Sequence, residues 1–143
     1  MSNGAEVAIF DQYRDRLQIK TPHWCQKVGN LSGGNQQKIV IGKWLETGPE
    51  ILILDEPTAG IDIGAKADVL DNVRDLARAG KAVIFISSEL AELIAVSDRI
   101  AVVSRGEIVR TLNTAQLTGR GDTADGRRAE EALQLIIQGG DAS

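Results

Sequence analysis

Apolar positions in this chain fall into blocks of helical and strand-like spacing. Over residues 4–19, Val7, Phe10, Tyr13 and Leu17 recur near one helical face and predict a helix. Thr21-Pro22-His23-Trp24 breaks it, because a proline pushes the preceding residue out of the helical region. Leu31-Ser32-Gly33-Gly34-Asn35 reads as a compact turn. Gln36 to Glu46 then reads as a helix, with Val40, Ile41, Trp44 and Leu45 on its buried face and Ser32 or Asn35 as its cap. Gly48-Pro49 ends the segment.

Ile51-Leu52-Ile53-Leu54 is an unbroken apolar run leading into Asp55-Glu56-Pro57. Such a run predicts a strand covered on both faces, as in a parallel sheet under helices. Ala65 to Ala79 reads as an amphipathic helix through Val69, Leu70, Val73, Leu76 and Ala77, with Gly80 at its C-terminal end. Ala82 to Ile86 is a second buried strand, so the three segments form a right-handed βαβ unit. Glu89 to Val96 reads as a short helix, and residues 100–103 and 107–109 as a hairpin around Ser104-Arg105-Gly106. Residues 113–127, rich in Gly, Thr and Asp, read as loop, and Arg128 to Gln138 as a last short helix through Leu133, Ile136 and Ile137. The fold class is α/β.

Composition narrows the function classes. The 143 residues are 25% charged and 43% hydrophobic, ordinary globular values that disfavour wholesale disorder. Acidic residues outnumber basic ones by 20 to 16, a net charge of -4, so a broadly basic nucleic-acid-binding domain is disfavoured. One Cys and one His leave no disulfide within the chain and little scope for a Cys/His metal site. No basic segment precedes an apolar core at the N-terminus, and no apolar run is long enough to span a bilayer. The expectation is a soluble intracellular chain. Cys25 and His23 read as inert or structural, and Trp24 and Tyr13 as internal packing.

Candidate chemistry sits at the end of the first strand. Ligands in open α/β sheets bind outside the carboxyl ends of the strands. Of two adjacent carboxylates there, one can hold Mg²⁺ and the other can orient or deprotonate a water for in-line attack. Asp55 and Glu56 suit that pair of tasks, although a strand can also end in solvated acids by chance. Thr58 reads as a local cap.

Leu31-Ser32-Gly33-Gly34-Asn35-Gln36-Gln37-Lys38 resembles the signature of ABC-type ATPases. Asp55-Glu56-Pro57-Thr58, 23 residues after Ser32, resembles the end of that family's Walker B segment, and Gly60-Ile61-Asp62 its D-loop. The Asn-Gln-Gln-Lys form, the run 60–66 and Ile86-Ser87-Ser88-Glu89-Leu90 are similar to the second ATPase domain of tandem bacterial importers for ribose, galactose, xylose and similar sugars. The resemblance covers about residues 15–140.

It implies an incomplete P-loop NTPase fold, mainly parallel sheet with flanking helices plus part of a helical subdomain. The implied parts are residues 1–48 with the signature, an α/β core over 49–112, and a C-terminal loop and helix over 113–143. It also implies that Ser32, Gly33, Gly34 and Asn35 meet the γ-phosphate of ATP bound on an opposing ATPase domain. Asp55 would hold Mg²⁺, Glu56 would polarise the attacking water, and Asp62 would cross a head-to-tail dimer seam. Ser88 occupies the switch position where the family usually has His, and a Ser cannot carry an imidazolium charge. Ala59 stands where the subfamily often has Arg.

No G-x-x-x-x-G-K-[ST] run occurs in the 143 residues. The expectation is therefore a C-terminal portion of an ATP-binding subunit of a carbohydrate importer, inactive alone. The alternative is a non-catalytic donor of the signature, or a degraded remnant, that complements a complete ATPase domain in trans. Implied cofactors are ATP and Mg²⁺. Implied partners are a second ATPase domain and transmembrane permease subunits, with no nucleic acid, at the cytoplasmic face of the cell membrane. An unpaired edge on the strand 51–54 predicts self-association of the isolated chain.

Overall fold

The computed structural model of the chain describes residues 3–117 and 123–140. It forms two compact units, Met1–Ile84 and Phe85–Ser143. The first holds helix α1 (Asn3–Arg16), a 3₁₀ turn (Val28–Asn30), α2 (Gly33–Leu45), strand β1 (Ile51–Asp55) and α3 (Ile63–Arg78). Strand β2 (Ala82–Ile86) spans the division. The second continues with α4 (Leu90–Val96), β3 (Arg99–Ser104), β4 (Glu107–Asn113), α5 (Thr114–Leu117) and α6 (Thr123–Gly140).

In the first unit α2 packs on α3, and the core gathers Leu17, Ile19, Ile41, Leu45, Leu52, Leu54, Val69, Val73 and Leu76. Two glycines inside α2 set how closely its neighbours approach. A Cβ on Gly34 would meet the Ala65 Cβ at 2.5 Å, and one on Gly42 would meet Leu17 Cδ1 at 3.3 Å. A helix-interior glycine costs about 0.5–1 kcal/mol against Ala, and here that cost is offset by α3 and the α1 terminus packing on α2. The buried stripe of α2 is Gly34, Lys38, Ile41, Gly42 and Leu45. Val40 and Trp44, expected on that stripe, are 46% and 57% exposed. Their flank lies beyond the arc that α1 and α3 cover.

β1 and β2 lie side by side in a two-stranded parallel sheet joined through α3. The expected coverage of both strands on both faces does not hold. Leu52 and Leu54 are buried, but Ile51 and Ile53 are 61% and 63% exposed, and Ile84 and Ile86 are exposed too. Alternation comes from the pleat, which sends successive side chains to opposite faces. Among the described residues only one face of β1 has a cover.

In the second unit β3 and β4 pair antiparallel, Ile100 opposite Leu112, with a register shift between Val102 and Val103. Arg105 and Gly106 both take positive φ, 51° and 84°, as a two-residue hairpin turn of the twist-matched type requires. Helix α6 packs on α4 and α5 and buries Ala129 and Leu133. Two expectations are corrected here. Residues 113–127 are not loop where described: β4 runs to Asn113, α5 covers 114–117, and α6 starts at Thr123. Residues 118–122 of that span lie outside the described ones. Trp24 is 45% exposed rather than packed inside, whereas Tyr13 does pack, against Gly42.

Candidate functional site

The turn at the start of α2 is tied by two side-chain hydrogen bonds. Ser32 occupies the N-cap position with extended backbone (φ −61°, ψ 153°), yet its side chain makes no capping bond. Its Oγ instead accepts from Asn35 Nδ2 at 2.8 Å. Asn35 Oδ1 accepts the backbone N–H of Lys20 at 2.7 Å. The first intrahelical bond runs from Gln36 N to Ser32 O, 2.9 Å. The N–H groups of Gly33, Gly34 and Asn35 therefore precede the helical ladder, as the opening donors of any helix do. Ser32 and Gly33 are exposed, and Gly34 is buried against α3.

The α1–α2 connection is clamped from below. Gln18 holds a left-handed backbone, φ 52°, uncommon for a residue with a side chain. Its carbonyl accepts from Lys38 Nζ at 3.3 Å, and the neighbouring Leu17 carbonyl accepts from Asn72 Nδ2 at 3.4 Å. Lys38 is 2% exposed and also pairs with Asp68 of α3 at 3.0 Å. A buried ammonium needs such partners. A hollow of about 380 Å³ is lined by Lys20, Ser32, Asn35, Lys38, Asp62 and Asp68, with Gly64 and Ala65.

The acidic pair lies apart from that hollow. Asp55 is the exposed last residue of β1, and Glu56 follows half-buried with φ 45°. Backbone held in the left-handed region by a side-chain-bearing residue costs about 1–3 kcal/mol and persists where its surroundings enforce it. Pro57 and Thr58 are buried immediately after it, and Ala59 N donates to Glu56 O at 3.1 Å. Asp62 caps α3, accepting Ala65 N–H at 3.0 Å. Asp62 thus joins the Ser32–Asn35 turn, and Asp55 and Glu56 do not line that hollow. Ser88 is an exposed residue of the second unit. Its neighbour Ser87 donates to the buried Glu92 carboxylate at 2.7 Å and accepts Glu89 N–H at 3.0 Å, which ties the start of α4.

Among the described residues no three of His, Cys, Asp and Glu gather as a metal cage. One carboxylate at a strand end suits Mg²⁺ that arrives with substrate phosphates, since that ion keeps waters and uses one or two protein carboxylates. No described helix is long and apolar enough to cross a membrane. Lys20, Lys38, Asp68 and Asn72 were missed as parts of the site. Lys38 carried a readable signal: it shares a helical stripe with Ile41 and Leu45, where a charge demands a partner.

Curated sequences match most of the chain. A galactose/methyl galactoside import ATP-binding protein, MglA, of Pasteurella multocida is 54% identical over 124 residues, 87% of this chain and 22% of that protein. An L-arabinose transport ATP-binding protein, AraG, of Geobacillus stearothermophilus is 49% identical over 113 residues, 79% of this chain and 22% of that protein. The family model described as ABC transporter matches residues 4–59. The chain belongs to the ABC transporter ATP-binding family. This ABC chain spans less than a quarter of the length of those curated relatives. Its fold is that of solved ABC cassettes. A nucleotide-free ATP-binding cassette from an ABC transporter superposes with a TM-score of 0.71 at 24% identity, covering 93% of this chain and 48% of that one. A dimeric cassette in a post-hydrolysis state, bound to ADP and Pi, gives 0.68 at 23% identity, covering 85% and 50%.

Proposed function

We propose that this ABC chain works as part of the ATP-binding subunit of a carbohydrate importer, in which ATP hydrolysis drives sugar uptake. The observation that carries the reading is the exposed, uncapped start of α2, where Ser32 and Gly33 offer donors and no carboxylate caps the helix. Helix N-termini with free N–H groups favour phosphate. In this reading Ser32, Gly33, Gly34 and Asn35 face the γ-phosphate of ATP held by a second ATPase domain in a head-to-tail dimer. Asp62 lies at the same seam. Asp55 contributes to holding Mg²⁺, and Glu56 orients the attacking water, with Ser88 at the switch position. The bound ion would neutralise phosphate charge as the γ-phosphoryl group leaves. The chain holds no G-x-x-x-x-G-K-[ST] run, so the proposed activity needs a phosphate cradle from elsewhere in the assembly.

Proposed partners are that second domain and transmembrane permease subunits at the cytoplasmic face of the membrane. The names of the relatives support the sugar class, and the three-part division at residues 48 and 112 belongs to the same proposal. The test is uptake of labelled galactose, ribose and arabinose by cells that make the chain. Glu56→Gln, which keeps the shape and removes the carboxylate, is expected to lower one of these uptakes at least about 10²-fold, the scale of a lost general base. Unchanged uptake of all three sugars would sink the reading.

A further inference from the structure

We propose that Asn35 is a positioning residue that turns the Ser32 hydroxyl into an outward donor, its own orientation set by the backbone of Lys20. The inference rests on the phosphate-facing reading of Ser32. A backbone N–H can only donate, so the Asn35 atom 2.7 Å from Lys20 N is its carbonyl oxygen. The amide NH₂ must then be the group 2.8 Å from Ser32 Oγ, and Ser32 is the acceptor in that bond. No other partner reaches Ser32 Oγ among the described residues. Its proton therefore points away from Asn35, and the adjacent N–H groups of Gly33 and Gly34 cannot take it because they are donors themselves. Hydroxyl proton and the neighbouring Gly33 N–H then present donors side by side, which suits an anion oxygen better than a cation.

Ser32 at an N-cap would ordinarily accept from the N–H of the second or third helical residue. Here the hydroxyl oxygen accepts from Asn35 Nδ2 instead and makes no bond to those N–H groups. Of the carboxylates lining the hollow, Asp62 accepts Ala65 N–H and Asp68 pairs with Lys38, and each keeps further acceptor capacity. The Lys20 N–H that fixes Asn35 is itself placed by the clamp on residues 17–18, through Asn72 and Lys38. The polarity of Ser32 is thus set from the α1–α2 connection.

A double-mutant cycle on the full chain tests this, with inorganic phosphate as the probe and the Gly33 and Gly34 amide shifts as the readout. Ser32→Ala and Asn35→Ala are each expected to weaken phosphate about fivefold or more, and the double variant no more than Ser32→Ala alone, because Asn35 acts through that hydroxyl. Losses that multiply, or an Asn35→Ala variant as tight as wild type, would overturn the inference. Asn35→Asp guards against simple misfolding. It keeps an acceptor for Lys20 N–H, so that amide stays protected from hydrogen exchange, but its carboxylate takes the Ser32 proton. Phosphate should weaken at least as much as in Asn35→Ala, and wild-type affinity would contradict the proposal. If wild-type Gly33 and Gly34 show no response to phosphate, it is the phosphate reading of Ser32 that fails, and the inference goes with it.

Discussion

The α2–α3 wedge and the β1–β2 pair belong to neighbouring parts of the chain but are finished to different degrees. In the wedge, glycines admit close neighbours, the buried Lys38 has its carboxylate, and carbonyls 17 and 18 have donors. On the strands, Ile51, Ile53 and Ile84 stand exposed at alternate positions. The wedge carries its own determinants and presents a polar turn. An exposed apolar row on a sheet is a surface for association. The difference shows that continuous apolar runs report what a strand is suited to touch, and that cover must come from a partner element.

Substitutions should separate the two regions by size of effect. Gly34→Val drives side-chain atoms into Ala65 and should cost about 3 kcal/mol, the upper range for overpacking, read as a lower urea midpoint. Asp68→Ala leaves the Lys38 ammonium with only the Gln18 carbonyl. A loss of about 2 kcal/mol is expected, below that for a fully enclosed pair because Asp68 is 43% exposed. Ile53→Thr should change stability by no more than about 0.5 kcal/mol, the range for exposed sites. It should, however, shift the chain toward monomer in sedimentation velocity. A large folding loss from Ile53→Thr, or none from Gly34→Val, would erase the contrast drawn between wedge and strands.

The smallest effect concerns pH. Burial first, and then the hydrogen-bonded Glu46 carboxylate, raise the Tyr13 phenol above its ordinary pKa. A raised folded-state value means the contribution is complete below the unfolded pKa, about 10, and is lost as pH climbs through the folded value. Thermal midpoints of wild type and Tyr13→Phe should therefore differ by a constant amount from pH 6 to 9 and converge above pH 10. A difference that grows with alkalinity would refute the Tyr13–Glu46 account.

Much of this was legible from spacing alone. Strand 82–86 falls where its β-branched run places it, and Gly80 takes φ 88° just past α3, as a helix-ending glycine does. The Asp55–Glu56 strand end also lies where its pattern puts it. The turn expected over 31–35 does not: α2 begins at Gly33 rather than Gln36, so Gly33, Gly34 and Asn35 form its first turn, because a Ser at the N-cap position lets the helix start three residues earlier. What else failed needed tertiary knowledge. Val40 and Trp44 are apolar on the wrong flank of α2, and which flank is covered depends on where α1 and α3 pack. Asn35 could be read as a cap or a ligand, but its bond to Lys20 N–H spans 15 residues and leaves no local signature. Ser88 gives no geometry with Glu56, since the two lie in separate units.

The central proposal is that Ser32 and its neighbours face phosphate and Asp55 helps hold Mg²⁺, with the cradle for ATP supplied from outside these 143 residues. Titration of MgATP into the chain alone, followed calorimetrically, tests it most directly. The account predicts no binding in the micromolar range. A micromolar Kd that Glu56→Gln or Ser32→Ala alters would contradict it, because this chain would then hold the nucleotide by itself.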